Sequence, residues 1–134
     1  MSADTVRPRL DVRLPADRHA AAAAREALDP VTVDLTPERQ DDARLLVSEL
    51  ATNSIRHARL EGAGWVRLTV CVDEDTLRVE ITDSGAGFEP PIDQTAEPGL
   101  ESGRGLFLVD ALSDRWGVDH KGAARTWFEM DLDR

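Results

Sequence analysis

The sequence predicts an α+β fold, and three observations carry that reading. A long segment, about Pro37 to Ala58, repeats apolar residues at steps of three and four, as a helix buried on one side requires. Two segments, Trp65 to Val72 and Leu77 to Thr82, alternate apolar and polar residues around the polar turn Asp73-Glu74-Asp75, the pattern of an antiparallel hairpin. A last alternating segment puts Thr126, Phe128, Met130 and Leu132 in one phase and Trp127, Glu129 and Asp131 in the other.

Composition sets the bounds. The 134 residues suffice for one core and are too few for two comfortable domains, so a single domain over 1–134 is expected. Hydrophobic residues at 41% and charged residues at 31% describe an ordinary globular protein. The net charge of −10 disfavours nucleic acid, whose phosphates select basic surfaces, but leaves room for a nucleotide held by a few local groups. Cys71 is the only cysteine, which excludes an internal disulfide and a cysteine-built zinc site; it reads as inert packing. Met1 to Asp11 lacks the apolar core of a signal peptide, and no apolar run approaches the ~20 residues that span a membrane. The expected location is the cytoplasm.

The remaining elements follow in order. Leu10, Val12 and Leu14 alternate with Asp11 and Arg13 in a short strand closed by Pro15. Asp17 is placed to cap an alanine-rich helix over about Arg18 to Leu28, where His19 reads as a surface residue. Val31, Val33 and Leu35 form an apolar connection. Thr36-Pro37-Glu38-Arg39 then supplies an N-cap, a proline at the first helical position and an acidic first turn. Glu61-Gly62-Ala63-Gly64 ends the long helix and turns the chain. Gly85 to Gly103 shows no periodicity and is punctuated by Pro90, Pro91, Pro98 and Gly99; loops of that length are usually lids or disordered inserts. An apolar helix of about ten residues, opening with the run Leu106 to Leu112, follows Gly103-Arg104-Gly105.

Several residues break the apolar pattern. Glu49, Asn53, Arg56 and His57 share a stripe beside the buried face of the long helix, either as a solvated flank or as a metal-phosphate site. Asp83 occupies the next inward position after Leu77, Val79 and Ile81. It is either a buried carboxylate that needs a partner or the first residue of a turn. Gly103 and Gly105 approach a helix start, where free backbone N–H groups can receive a phosphate. Thr126 is a polar group in the inward phase of the last strand, with local bonding to backbone as its simpler role.

Taken in order, these pieces resemble the ATP-binding domain shared by gyrase, heat-shock chaperones, histidine kinases and mismatch-repair ATPases. The pieces are Glu49 and Asn53, then Asp83-Ser84-Gly85-Ala86-Gly87, Gly103-Arg104-Gly105-Leu106 and Thr126. The wording Glu49-Leu50-Ala51-Thr52-Asn53-Ser54-Ile55-Arg56-His57-Ala58, the run Glu101 to Leu106 and Asp114-Arg115-Trp116-Gly117 look most like the bacterial anti-sigma-factor serine kinases. The resemblance spans about residues 10–132. It implies a two-layer α/β sandwich of the Bergerat type, a mixed and mostly antiparallel sheet with helices on one face, and an ATP lid over about 85–103.

It also implies roles. Asp83 would accept a hydrogen bond from the adenine amino group, with Thr126 supporting the same edge. Gly85 and Gly87 would let backbone pass close to the nucleotide, and Asn53 would offer an oxygen to Mg²⁺. Gly103, Gly105 and Leu106 would face the phosphates, with Arg104 and Arg56 as charged contacts. Glu49 would act as general base. The turn before Thr126 reads Gly122-Ala123-Ala124-Arg125, a departure from members that carry glycine directly before the threonine. The function implied is an ATP-dependent regulator of transcription: a protein-serine kinase acting on an anti-anti-sigma (STAS-type) partner, and an anti-sigma factor that holds a sigma factor. The alternative is a non-catalytic ATP-binding switch whose nucleotide state selects its protein partner. Neither nucleic acid nor a membrane is expected as a direct partner. The outward Trp65 and Trp127 point to a partner or homodimer surface, or to cover by the N-terminal segment.

Overall fold

A computed structural model of the chain describes residues 8–33, 35–58, 64–83, 108–119 and 125–132, apart from the side chains of 57 and 58. The elements are β1 (Leu10–Pro15), α1 (Ala20–Leu28), a 3₁₀ turn (Asp29–Val31), α2 (Pro37–Ala58), β2 (Trp65–Val72), β3 (Thr76–Asp83), β4 (Arg115–Asp119) and β5 (Arg125–Asp131). Residues 108–112 are helical. The five strands form one sheet in the order β1-β2-β3-β5-β4. Every pairing is antiparallel, so no parallel pair of the expected mixture occurs among the described strands.

Local chemistry sets α2. Thr36 Oγ1 accepts from the Arg39 N–H at 3.3 Å, its carbonyl accepts from the Gln40 N–H at 2.8 Å, and Pro37 opens the helix without a donor to satisfy. Ala43, Leu46, Val47, Leu50, Ala51 and Ile55 are buried, and α2 packs on β3 and β2. The steps of three and four put Val47, Leu50, Ala51 and Ser54 on this face; Ile55 is buried there too, while Ser54 is half-buried. Ala20, Ala24 and Leu28 form the buried stripe of α1, and the two small alanines suit its packing on α2. A polar seam runs beside this contact: Arg25 Nη1 donates to Ser48 Oγ at 2.8 Å, and Ser48 Oγ donates back to the Arg44 carbonyl.

Two expectations shift. Asp17 acts one step before the helix, accepting from the His19 N–H at 2.8 Å, so α1 starts at Ala20. Val33 is 70% exposed, because the connection is held by buried Thr32, whose hydroxyl donates to the Asp29 carbonyl, and by buried Leu35.

On the sheet, Val66, Leu68, Val70, Leu77, Val79, Ile81, Phe128 and Met130 face the helices and are buried. Gly64, at φ 84°, adopts the left-handed conformation that leads into β2. The opposite face is covered by charge. Register puts Arg78 opposite Glu129, Glu129 opposite Arg115, and Asp119 opposite Arg125, and these pairs close at 3.0, 2.7 and 2.6 Å. Arg13 stands opposite Arg67, and each like charge turns aside: Arg67 grips Asp11 with two bonds, at 2.7 and 2.6 Å, and Arg13 lies 4.4 Å over Trp65. Arg78 lies 4.0 Å over Trp127 in the same way. Both outward tryptophans are thus half-buried beneath the chain's own arginines. Cys71 is half-buried here, and burial pushes its thiol up, which suppresses thiolate reactivity.

Trp127 also needs a glycine. It stands opposite Gly117, where a Cβ would meet ring atom Cζ2 at 2.7 Å. Gly117→Ala is therefore expected to displace the ring from beneath Arg78 and destabilise the fold by about 1–3 kcal/mol. Denaturant unfolding followed by tryptophan emission tests this, and an unchanged midpoint would show that the ring has room to move.

Burial opposes ionisation of Glu129, but Arg115 and Arg78 outweigh it and hold the carboxyl below its ordinary range. A depressed folded value contributes stability above the unfolded carboxylate range, and that contribution is lost as pH falls through the folded value. Glu129→Gln should lower stability at neutral pH by about 1 kcal/mol, with the deficit fading below about pH 4. Melting curves across pH measure it; a deficit that persists undiminished in acid would exclude the ion pairs as its cause.

Candidate functional site

The candidate site is assembled from α2 and two strands. Glu49 and Asn53 are half-buried on α2, one turn or about 6 Å apart along its axis. Because the helix lays its apolar stripe on the sheet, these two side chains come to lie on the flank of the helix–sheet interface. A carboxylate and a carboxamide oxygen in that position can accept a proton and ligate a hard cation, respectively.

Asp83 completes the inward row of β3 and is 3% exposed. The strand has not ended before it: Asp83 stands opposite Val66 of β2, which resolves the choice between turn and buried position. Thr126 of β5 stands opposite Ile81, the preceding inward residue of β3. Asp83 and Thr126 are therefore diagonal neighbours on the helix-facing side of adjacent strands, a relation that brings side chains within reach of a shared group. A buried carboxylate beside a hydroxyl suits a ligand that presents an N–H donor.

A cleft of about 560 Å³ opens between the start of α1 and the last turns of α2, lined by Asp17, Arg18, His19, Ala21, Thr52, Ile55 and Arg56. Arg18 Nε donates to His19 Nε2 at 3.4 Å. Two arginines against one carboxylate make this concavity cationic on a chain of net charge −10. The sequence reading missed it. Its two walls lie more than thirty residues apart, and no local periodicity couples them. Arg56, expected near phosphate, is an exposed wall of this cleft.

Gly85, Gly87, Gly103, Arg104, Gly105 and Leu106, with the lid expected over 85–103, lie outside the described residues, as does the side chain of His57. Among the described residues there is no group of three or more His, Cys, Asp or Glu side chains arranged to hold a metal, and no helix is long and apolar enough to cross a membrane.

Known proteins are similar to this chain. The serine-protein kinase RsbW of Listeria monocytogenes is 28% identical over 123 residues, covering 82% of this chain and 78% of the relative. RsbW of Staphylococcus aureus is 29% identical over 119 residues, with 78% and 75% covered. The anti-sigma F factor of Clostridium acetobutylicum is 32% identical over 94 residues, 65% of each chain. Among solved structures, the histidine kinase domain of the blue-light activated histidine kinase EL346 from Erythrobacter litoralis matches with a TM-score of 0.57 and 22% identity. That match covers 98% of this chain and 66% of the other, a likeness of fold. The profile of the histidine kinase-like ATPase domain matches residues 14–131, nearly the whole length. The chain belongs to the histidine kinase-like ATPase domain family.

Proposed function

We propose that this chain is a protein-serine kinase that uses Mg-ATP to inactivate a small anti-anti-sigma protein and, in an alternative complex, holds a sigma factor. The observation that carries the nucleotide reading is Asp83, a carboxylate 3% exposed at the inward end of β3, diagonal to Thr126. A carboxylate there can accept from an N–H donor, and the adenine amino group is such a donor. The family supports ATP as the ligand, and the names of the relatives support a serine kinase that also acts on a sigma factor.

The donor set fits. Asn53 would supply an oxygen to Mg²⁺, which accepts few protein ligands and keeps phosphate oxygens as the others. Bound Mg-ATP would supply the γ-phosphoryl group. Glu49 would take the proton of a partner serine hydroxyl as that oxygen receives the phosphoryl group. From the family resemblance, Gly85 and Gly87 would serve the base, Gly103, Arg104, Gly105 and Leu106 would serve the phosphates, and 85–103 would be the lid. Arg56 serves the γ-phosphate or the docked partner from the cationic cleft. The protein would act in the cytoplasm.

Asp83→Asn places a donor toward the adenine amino group and should weaken ATP by about 1–3 kcal/mol. Calorimetry measures it. Equal affinity of mutant and wild type, or GTP bound as well as ATP, would remove the adenine assignment.

Glu49→Ala should leave ATP affinity near wild type but slow phosphate transfer roughly 10²–10⁴-fold. Asn53→Ala should damage both, since it removes a metal ligand. The assay is transfer from labelled ATP to a protein captured in an ATP-dependent manner from extract. Wild type that binds ATP yet transfers nothing leaves the non-catalytic switch as the reading. Full-rate transfer by Glu49→Ala would place the base elsewhere.

A further inference from the structure

Register sets three unlike side chains in a row on the helix-facing side of the sheet. Asp83 ends β3, Thr126 of β5 stands opposite Ile81 of β3, and Val118 of β4 stands opposite Thr126. The three strands are neighbours in the order β3-β5-β4. The row therefore runs carboxylate, hydroxyl, apolar, across two strand spacings or about 10 Å.

Val118 is the unusual member. Among the described residues, every other helix-facing position of the five strands is buried or half-buried, whereas Val118 is 41% exposed. Val33 and Leu45 are exposed as well, but they lie in the connection before α2 and on its solvent side, where single apolar side chains are ordinary. Val118 is also held in place. Trp116 Nε1–H donates to Asp110 Oδ1 at 2.9 Å, Gly117 lies against the Trp127 ring, and Asp119 Oδ2 accepts from Arg125 Nη2 at 2.6 Å. With both chain neighbours fixed and a β-branched side chain of few rotamers, β4 presents a set apolar surface beside Thr126.

The order of the row matches one edge of adenine. That edge carries, side by side, the 6-amino donor, the ring acceptor N1 and an apolar C2–H. A carboxylate meets the donor, a hydroxyl can donate to N1, and a valine suits the C–H. Guanine carries an amino group at C2, and a valine there leaves that donor without an acceptor.

We propose that Val118 is a specificity-determining residue of the nucleotide site: it covers the C2 position of the base and disfavours purines with a 2-amino group. The inference rests on the adenine reading of Asp83 and Thr126 and adds the third position of the same edge. Selectivity against guanine is then divided between two residues, Asp83 at C6 and Val118 at C2.

2-Aminoadenosine triphosphate separates the two contributions, because it keeps the 6-amino group and differs from ATP only at C2. Calorimetry with the Mg²⁺ complexes of ATP and of this analogue is run on the full-length chain and on two variants, with melting temperatures recorded. Val118→Thr keeps the branched shape and offers an oxygen to the 2-amino group. Val33→Thr makes the same change at an exposed site in the connection before α2. Wild type should bind the analogue roughly five- to fiftyfold more weakly than ATP. Val118→Thr should narrow that ratio by about threefold or more through tighter binding of the analogue, with ATP affinity near wild type. Val33→Thr should keep the wild-type ratio. Wild type that binds both nucleotides equally would overturn the inference and leave the adenine reading standing. So would a Val118→Thr protein that keeps the wild-type ratio, or a Val33→Thr protein that shifts it as much. If Val118→Thr does not fold, the wild-type comparison decides by itself. Wild type that binds neither nucleotide would overturn the adenine reading and this inference together.

Discussion

The structure depends on one packing contact, the apolar stripe of α2 laid along the inward residues of β3 and β2. Ala43, Leu46, Val47, Leu50, Ala51 and Ile55 meet a sheet face built from Val66, Leu68, Leu77, Val79 and Ile81. Burying a large aliphatic side chain contributes about 1.5–3 kcal/mol, so this interface outweighs any single polar contact in the molecule. It also dictates where chemistry can occur. A helix with one face on the sheet leaves a flank at the rim of the core, and Glu49 and Asn53 occupy it. The inward position at the end of β3 leaves Asp83 buried.

A two-layer fold leaves the second sheet face uncovered by helices, and this chain closes it with its own side chains. Arg78 over Trp127 and Arg13 over Trp65 turn two exposed aromatics into stacked, half-buried ones. Cross-strand ion pairs tile the remainder. Singly such pairs stabilise little, but a charged, twisted face also resists stacking against another sheet. The tryptophans therefore require no partner to account for them.

The acidic character of the chain and the cationic cleft between α1 and α2 act together. A net charge of −10 repels polyanions at long range, while Arg18, His19 and Arg56 offer a local site for a carboxylate or phosphate. Such an arrangement selects ligands by contact geometry more than by overall attraction. It suits a nucleotide or one acidic side chain better than a nucleic-acid backbone.

The sequence by itself determined the elements and their facing. Thr36-Pro37 and the stripe from Ala43 to Ile55 delimit α2 through capping and 3.6-residue periodicity, both set by neighbours within a few residues. Alternation in β3 placed Asp83 inward, because successive side chains of a strand must point to opposite faces. Only the tertiary structure decided that β5 lies between β3 and β4, which makes Thr126 a neighbour of Asp83. The same holds for Gly117 beneath Trp127, for Asp114 as the joint between α2 and β5, and for the cleft shared by α1 and α2. These are meetings of residues distant in the chain. Their energies come from which surfaces come together when the sheet closes, and no pattern confined to a few neighbouring residues encodes that.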